Sequence, residues 1–429
     1  MTSPSAHAPL SALNRYLARW AEPEIHALRS SLQHFPQSDA TRHPFVISVP
    51  AYAEPLDWWL RLSSALADTP LWWIWVFNKP DHPDQKSKTT YSTSASLQQC
   101  KQHLTHRIEC GPITLGQLSD SQHVVLVDRC SSPIPHKQGV GLARKIANDL
   151  ALVLIDLGWV HTPWLFNTDA DATLPPDYFS HPSVHSLLQQ RQLSAFQMGF
   201  EHQPSHTDFA EATWCYDQYL RYHYRGLRAA GSPYAFTTIG SLSVLSATHY
   251  ASVRGFPKLA AGEDFYVLNK LRKLAPIETL AAPIIQLSAR PSERVPFGTG
   301  PRLLEWQHQR RENIHVWSPE AYRLLGVFLT FLCDHTESTG PATQYLAQGL
   351  AALRESPTKT EYYTLYRIAH DLGIDRWLAR TQAHRFASIE HSQRAFHDWF
   401  DALKTSQFLR QISTHTPLIS IQDASRYSF

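Results

Sequence analysis

Between His43 and Leu287 the sequence alternates short apolar, β-branched runs with helical stretches, and no other feature limits the fold as strongly. Most runs end in a polar loop before the helical period begins. The pattern predicts strands ending at Pro50 and at Phe77 (from Leu71), then Val124–Val127, the run starting at Trp164, Ala195–Phe200, Ser241–Leu245 and Pro283–Leu287. It predicts helices over Leu56–Ala67, Ala95–His103, Val140–Leu157, Tyr178–Gln190, Thr207–Arg228, Ala247–Val253 and Gly262–Leu274, with Gly158 closing the third. Repeated βα units of this kind fold into a mostly parallel, Rossmann-like sheet flanked by helices, so the expected class is α/β.

The flanks read differently. From Ser11 to Leu32 the apolar residues take a helical spacing broken by Pro23, which gives a helical extension over residues 1–40. Lys79 to Ser94 is polar, aperiodic and longer than an ordinary loop. Beyond Gly300 strand signals stop, and helices are expected near 319–333, 342–353, 361–372 and 392–412. The chain of 429 residues is therefore expected to divide into 1–40, a catalytic domain at 41–300 and a helical C-terminal domain at 301–429.

Composition excludes several classes. With 43% hydrophobic and 18% charged residues the chain buries a sizeable core and is not disordered. A formal charge of +2 and the lack of long Lys/Arg blocks point away from nucleic acid. Cys100, Cys110, Cys130, Cys215 and Cys333 are scattered and odd in number, so neither a disulfide framework nor a zinc cluster is expected. Apolar runs fall short of the ~18 to 20 residues of a membrane span, and the N-terminus lacks a signal-peptide pattern. The expectation is a soluble, cytoplasmic protein with no integral membrane segment. Nothing in the residues sets an oligomeric state.

The chemistry concentrates in Trp164 to Phe179, WLFNTDADATLPPDYF. An apolar strand there delivers Asp169 and Asp171 to its exposed carboxyl end. Two carboxylates one residue apart offer hard oxygens, which suit Mg²⁺ or Mn²⁺ carrying a phosphate. A parallel sheet collects its strand-end loops on one rim, and these loops carry Tyr52, Glu54, Asn78 and Lys137 to Arg144. Gly139-Val-Gly141 could turn backbone N–H groups toward an anion. Arg144 stands where a third glycine of a dinucleotide fingerprint would be, so Lys137 and Arg144 are better read as phosphate partners. Trp58, Trp59, Trp72, Trp73 and Trp75 read as core, whereas Trp214, Tyr216, Tyr219, Tyr222 and Tyr224 on one helix could line an acceptor site.

Four segments in order carry a family resemblance: Val-Pro-Ala-Tyr-Ala-Glu (49 to 54), Gly-Val-Gly-Leu-Ala-Arg (139 to 144), Thr-Asp-Ala-Asp (168 to 171), and Gly-Ser-Leu-Ser-Val-Leu-Ser (240 to 246) through Gly-Glu-Asp (262 to 264). Over residues 43 to 300 the sequence resembles the family 2 glycosyltransferases, which have the GT-A fold and a D-x-D motif. The resemblance implies metal-dependent transfer of a hexosyl group from a nucleoside-diphosphate sugar donor to a hydroxyl acceptor. Pro50, Tyr52 and Glu54 would hold the nucleoside, Asp169 the ribose or the metal, and Asp171 the metal. Asp264, beside Glu263, would be the base, and attack opposite the leaving group would invert the anomeric centre.

This sequence departs from the family at several points. Ala53 replaces the usual Asn, Asn78 sits where an Asp often meets the base, and the Q-x-x-R-W motif of processive membrane synthases is absent. Arg290 and Arg294 in a Pro/Gly loop are expected to close on the diphosphate. Two other readings remain open. Asp169-Ala-Asp171-Ala-Thr-Leu also fits the nucleophile motif of haloacid-dehalogenase-type phosphatases, with Asp169 attacking phosphorus. A non-catalytic sugar-nucleotide-binding protein is the second.

Overall fold

The computed structural model describes residues 12–36, 38, 41–82, 91–292, 298–333, 359–381 and 389–429. The elements, in chain order, begin with α1 (Ala12–Arg19), α2 (Glu24–Leu32), β1 (Phe45–Ala51), α3 (Trp58–Ala65), β2 (Leu71–Pro80) and α4 (Thr93–His103). Next come β3 (Thr105–Cys110), β4 (Ile113–Gln117), β5 (Gln122–Ile134), α5 (Gly139–Asp156), β6 (Trp164–Asn167), α6 (Pro182–Leu188), β7 (Ala195–Pro204) and α7 (Ala210–Ala229). Then follow β8 (Ser243–Ser246), α8 (Ala247–Ser252), α9 (Glu263–Leu274), β9 (Ile277–Ala289) and α10 (Thr299–Trp306). The chain ends with β10 (His315–Val316), α11 (Pro319–Cys333), α12 (Lys359–Asp371), α13 (Ile374–Thr381), α14 (Ile389–Trp399), α15 (Ala402–Ile412), β11 (Ile419–Ser420) and α16 (Ile421–Arg426).

Two compact units emerge: Met1–Ala210 with Thr238–Leu304, and Glu211–Thr237 with Glu305–Phe429. The first holds a nine-stranded sheet in the order β3-β4-β5-β2-β1-β6-β8-β7-β9. Ladders β5-β2, β2-β1, β1-β6 and β7-β9 are parallel, while β3-β4, β4-β5, β6-β8 and β8-β7 are antiparallel. Only β4 and β8 oppose the common direction, so the sheet is mostly parallel. The strand order reverses at β1, which has β2 on one side and β6 on the other. A crevice at the carboxyl ends of β1 and β6 is therefore the place where such a sheet receives a ligand.

The buried sides explain the strands. β1 and β2 are covered over nearly their whole length, as central strands with both faces packed must be. Trp58, Trp59, Trp72, Trp73 and Trp75 are all core, as their setting in the sequence implies. The N-terminal extension is not a separate piece, because α1 packs on α5 and α8, and α2 on α5 and β4.

Several elements differ from the sequence expectation. The edge hairpin β3-β4 gives no apolar signal in β3, whose residues are mostly exposed, so a run-based reading passes over it. The helix expected from Tyr178 begins only at Pro182, which takes its first turn behind the His181 cap. β9 starts at Ile277, since much of its first half is not buried. Strand structure does not stop at Gly300: β10 and β11 form a two-residue antiparallel ladder. The segment expected to be helical at 342–353 lies outside the described residues, as does 83–90 of the long polar loop.

A single cut at Pro301 does not describe the second unit, which takes Glu211–Thr237 from inside the expected catalytic domain. The reason is packing on α7. Tyr222 donates to the Trp317 carbonyl at 2.8 Å, and the His223 ring lies 2.8 Å from the Tyr322 hydroxyl. Trp214 lies under the Arg311 guanidinium, 3.8 Å from its carbon. Tyr216 and Tyr222 are buried in this packing, and Trp214, Tyr219 and Tyr224 are half-exposed. Phe328, Phe400 and Phe408 form an aromatic core further along.

At the opposite end of the sheet from the crevice, His43 Nε2 and His123 Nδ1 lie 2.7 Å apart, packed by Phe35, Trp72 and Trp159. Burial pushes each imidazole down to about 4, with the neighbouring histidines adding to the effect. Both rings are neutral in the fold, whereas the unfolded chain protonates them below about 6.5. Stability from this pair is complete above about pH 6.5 and declines as pH falls toward 4. Urea midpoints measured from about pH 7 to 4 are expected to drop, and His123→Gln to flatten the drop. His223 and His249, also pushed down by burial, act in the same sense, while Asp171 and Asp264, pushed up by burial, act against it.

Candidate active site

The carboxylates and arginines singled out in the sequence meet at the carboxyl ends of β1 and β6. β6 ends at Asn167, and Ala172 N–H closes a turn on the Asp169 carbonyl at 3.1 Å. The Arg61 guanidinium on α3 clasps that turn, donating to the carbonyls of Ala170 (2.7 Å) and Ala172 (2.5 Å). Thr173 and Gln286 exchange backbone hydrogen bonds at 2.8 and 3.1 Å, which fastens the far side of the turn to β9. The result is a D-x-D turn with little freedom.

Two arginines then organise the acids. Arg144, one turn into α5, is buried, and its Nε donates to Glu263 at 2.9 Å and its Nη2 to Asp169 at 2.5 Å. A buried guanidinium is tolerable only when paired, and losing one partner of such a cluster costs about 3–5 kcal/mol. Its Nη1 is buried with no partner among the described residues. Asn148 locks the start of this network, donating to the Arg144 carbonyl (2.8 Å) and to Asn167 Oδ1 (2.7 Å), so α5 and β6 hold one register. Arg290, just past β9, donates through Nη2 to Glu54 at 2.8 Å and to Asp171 at 2.6 Å. That bridge spans the crevice between β1 and β6.

Asp264 follows Gly262 and Glu263 at the first turn of α9. Glu263 turns inward to Arg144, whereas Asp264 is half-buried and accepts from the Phe265 N–H at 2.7 Å. Burial, reinforced by Glu263 and opposed by Arg144, pushes its carboxyl up to about 7. Asp171 is pushed up to about 6 by burial against the pull of Arg290, with Glu54 and Asp169 adding to the rise. An acid poised near neutrality on such a rim can exchange protons with a bound hydroxyl.

Several expectations need correction. The Gly139–Gly141 turn is no anion cradle: Gly141 N–H donates to the Leu259 carbonyl at 3.0 Å, and a Cβ on Gly141 would stand 2.5 Å from the Pro257 and Leu259 carbonyls. These glycines admit a second backbone. Lys137 is exposed in the preceding turn and forms no ion pair among the described residues. Arg290 holds Glu54 and Asp171 instead of lying open toward a diphosphate, and Arg294 lies outside the described residues. Pro50 is buried at the end of β1, Tyr52 is half-exposed beyond it, and Asn78 is buried on β2. Ala53 has φ +54, a left-handed conformation in which Asn is enriched and an alanine is uncommon.

Arg61 and Asn148 carry no motif of their own and were not legible in the sequence. Among the described residues no group of three or more His, Cys, Asp or Glu is arranged to hold a metal. Asp169 and Asp171 each give one oxygen to an arginine and keep the other, and such hard oxygens fit Mg²⁺ or Mn²⁺.

No protein-family model matches the sequence, and no curated protein matches it. Solved structures do. The chain is similar to the crystal structure of S. aureus TarS 1-349 in complex with UDP-GlcNAc, at 12% identity over 83% of this chain and 91% of that one, with a TM-score of 0.35. It is also similar to glucosyl-3-phosphoglycerate synthase from Mycobacterium tuberculosis in complex with Mn²⁺, UDP and phosphoglyceric acid, at 13% identity over 72% and 84%, with a TM-score of 0.30. Both likenesses are low in identity and in TM-score.

Gly240 faces the Arg144 guanidinium, where a Cβ would come within 2.7 Å of Nη2 and 2.8 Å of Cζ. With that guanidinium pinned by two carboxylates, Gly240→Ala is expected to cost about 1–3 kcal/mol in urea denaturation. The cost should largely vanish on an Arg144→Ala background, because the clash goes with the side chain.

Proposed function

We propose that the chain is an inverting glycosyltransferase of the GT-A type, moving a hexosyl group from a nucleoside-diphosphate sugar to a hydroxyl acceptor. The observation that carries this reading is the Glu54–Arg290–Asp171 bridge across the β1/β6 crevice, with Asp264 at the start of α9 joined to the same rim through Glu263, Arg144 and Asp169. A crevice at a strand-order reversal suits a nucleotide, and paired acids and arginines suit a diphosphate.

In this reading Pro50, Tyr52, Glu54 and Asn78 border the nucleoside, and Arg290 exchanges Asp171 for the donor's phosphates as they arrive. Asp169 and Asp171 would hold Mg²⁺ or Mn²⁺, which would supply positive charge against the leaving diphosphate. Asp264 takes the proton from the acceptor hydroxyl as that oxygen attacks the anomeric carbon, and direct displacement inverts the centre. Arg144 takes Glu263 as its hydrogen-bonded counter-ion and leaves Asp264 outside that pairing, so the base retains a proton affinity near neutrality. The free thiols of Cys100, Cys110, Cys130 and Cys215 fit a cytoplasmic setting. Among the described residues no helix is long and apolar enough to cross a membrane. The phosphatase alternative is disfavoured because the partner of Asp169 is the guanidinium of Arg144, which would blunt it as a nucleophile.

Thermal-shift measurements with UDP-, GDP-, CMP- and dTDP-linked sugars, with and without Mn²⁺, are expected to show metal-dependent stabilisation by one of them. At a hundredfold excess over Kd the gain is about 2.7 kcal/mol. Flat curves with all four would sink the reading.

Asp264→Asn is expected to keep that donor response and lose about 10²–10⁴-fold in turnover. In the wild type the rate should rise with pH through about 7, as Asp264 ionises. Full turnover in the Asp264→Asn enzyme would remove Asp264 as the base, whereas donor binding with unchanged cellular function would return the protein to a binding role.

A further inference from the structure

Away from the rim, a cavity of about 510 Å³ opens between the α1–α2 turn and the segment leading out of α8. Arg19, Trp20, Glu22, Lys145, Arg254 and Lys258 supply most of its walls. Lys145 is satisfied by Asp149 (2.9 Å) and the Tyr16 hydroxyl (2.5 Å), and Lys258 by Glu22 (2.7 Å). Arg19 and Arg254 have no carboxylate partner among the described residues. Neither does Lys270, which lies near enough to Arg254 that this neighbour, after burial, disfavours its charge. The four cations of the walls thus have two carboxylates, Asp149 and Glu22, among them, leaving an excess of two positive charges carried by Arg19 and Arg254.

The position of Arg254 is telling. Its φ is +65, a left-handed conformation that strains a residue with a side chain, and its guanidinium is held 4.8 Å from the Trp20 ring. Helix carboxyl termini favour basic residues such as Arg19 and Arg254 only weakly. That does not account for an arginine where glycine would be relaxed, nor for two arginines without a carboxylate partner on the two sides of one cavity.

We propose that this cavity binds a small organic phosphate ester. Arg254 and Arg19 meet the phosphoryl oxygens, for which guanidinium forks are suited. Trp20 and Phe256 give an apolar wall to the organic part. The volume is many times the roughly 30 Å³ share of one water, which leaves room for an organic group beside a phosphate. The same segment continues through Pro257 and Leu259, which press on Gly141 at the start of α5, to Gly262 and Asp264. An occupant therefore braces the strand of chain that leads to the rim. The site stands whether or not the rim takes a nucleotide sugar.

The test is isothermal titration of the full chain with glycerol 3-phosphate and with inorganic phosphate. Saturable binding of both is expected, tighter for the ester. Arg254→Gly relaxes the backbone while removing the charge, so folding is preserved, and affinity for glycerol 3-phosphate should fall at least about tenfold. Unchanged affinity in Arg254→Gly overturns the proposal. So does a heat signal reproduced by sodium chloride at equal ionic strength, or competition between glycerol 3-phosphate and any nucleotide found to bind the rim.

Discussion

A single buried guanidinium holds the site together. Arg144 cannot be in the interior without anions, and Glu263 and Asp169 provide them from two distant parts of the chain. That requirement fixes α5 against β6, brings the first turn of α9 to the D-x-D turn, and needs a residue without a side chain at Gly240. The acid beside Glu263 is left without an arginine hydrogen bond of its own. Burial then governs its proton affinity, which is how one cluster contains both an arginine-paired acid and an acid near neutrality.

The second arginine works on the opposite wall. Arg290 sits one residue past β9, and β9 is pinned to the D-x-D turn through Thr173 and Gln286. Its position is therefore set by the sheet, although it lies in a loop. It joins Asp171 to Glu54 and so spans the place where the strand order reverses. Two like charges there would repel in a low-dielectric crevice, and the guanidinium makes their approach tolerable.

Much of this was visible in the residues. The alternation of apolar runs and helical periods is dictated by backbone geometry, and strands buried on both faces must be continuously apolar, so β1, β2, β5 and β6 are legible. Exposed elements were not: β3 has no buried face to advertise, and α7 reads like any amphipathic helix although it packs with the second unit. Asp169, Asp171, Glu263, Asp264, Arg144 and Arg290 were legible as charges at strand ends and helix starts. Arg61 and Asn148 were not, because their work is done through backbone carbonyls that no spacing rule encodes.

The sequence by itself determined the class of sheet, the rim on which the polar loops gather and the acids on that rim, since periodicity and turn chemistry are local. Only the tertiary structure decided which charge meets which. Glu54 and Arg290 are 236 positions apart, and Arg144 and Glu263 are 119 apart. Pairing over such separations follows from strand order and packing, which the local pattern leaves open. The same holds for Gly139 and Gly141: in the sequence they suggest a phosphate turn, and in the fold they make room for the chain that carries Asp264, because two backbones cannot otherwise approach so closely.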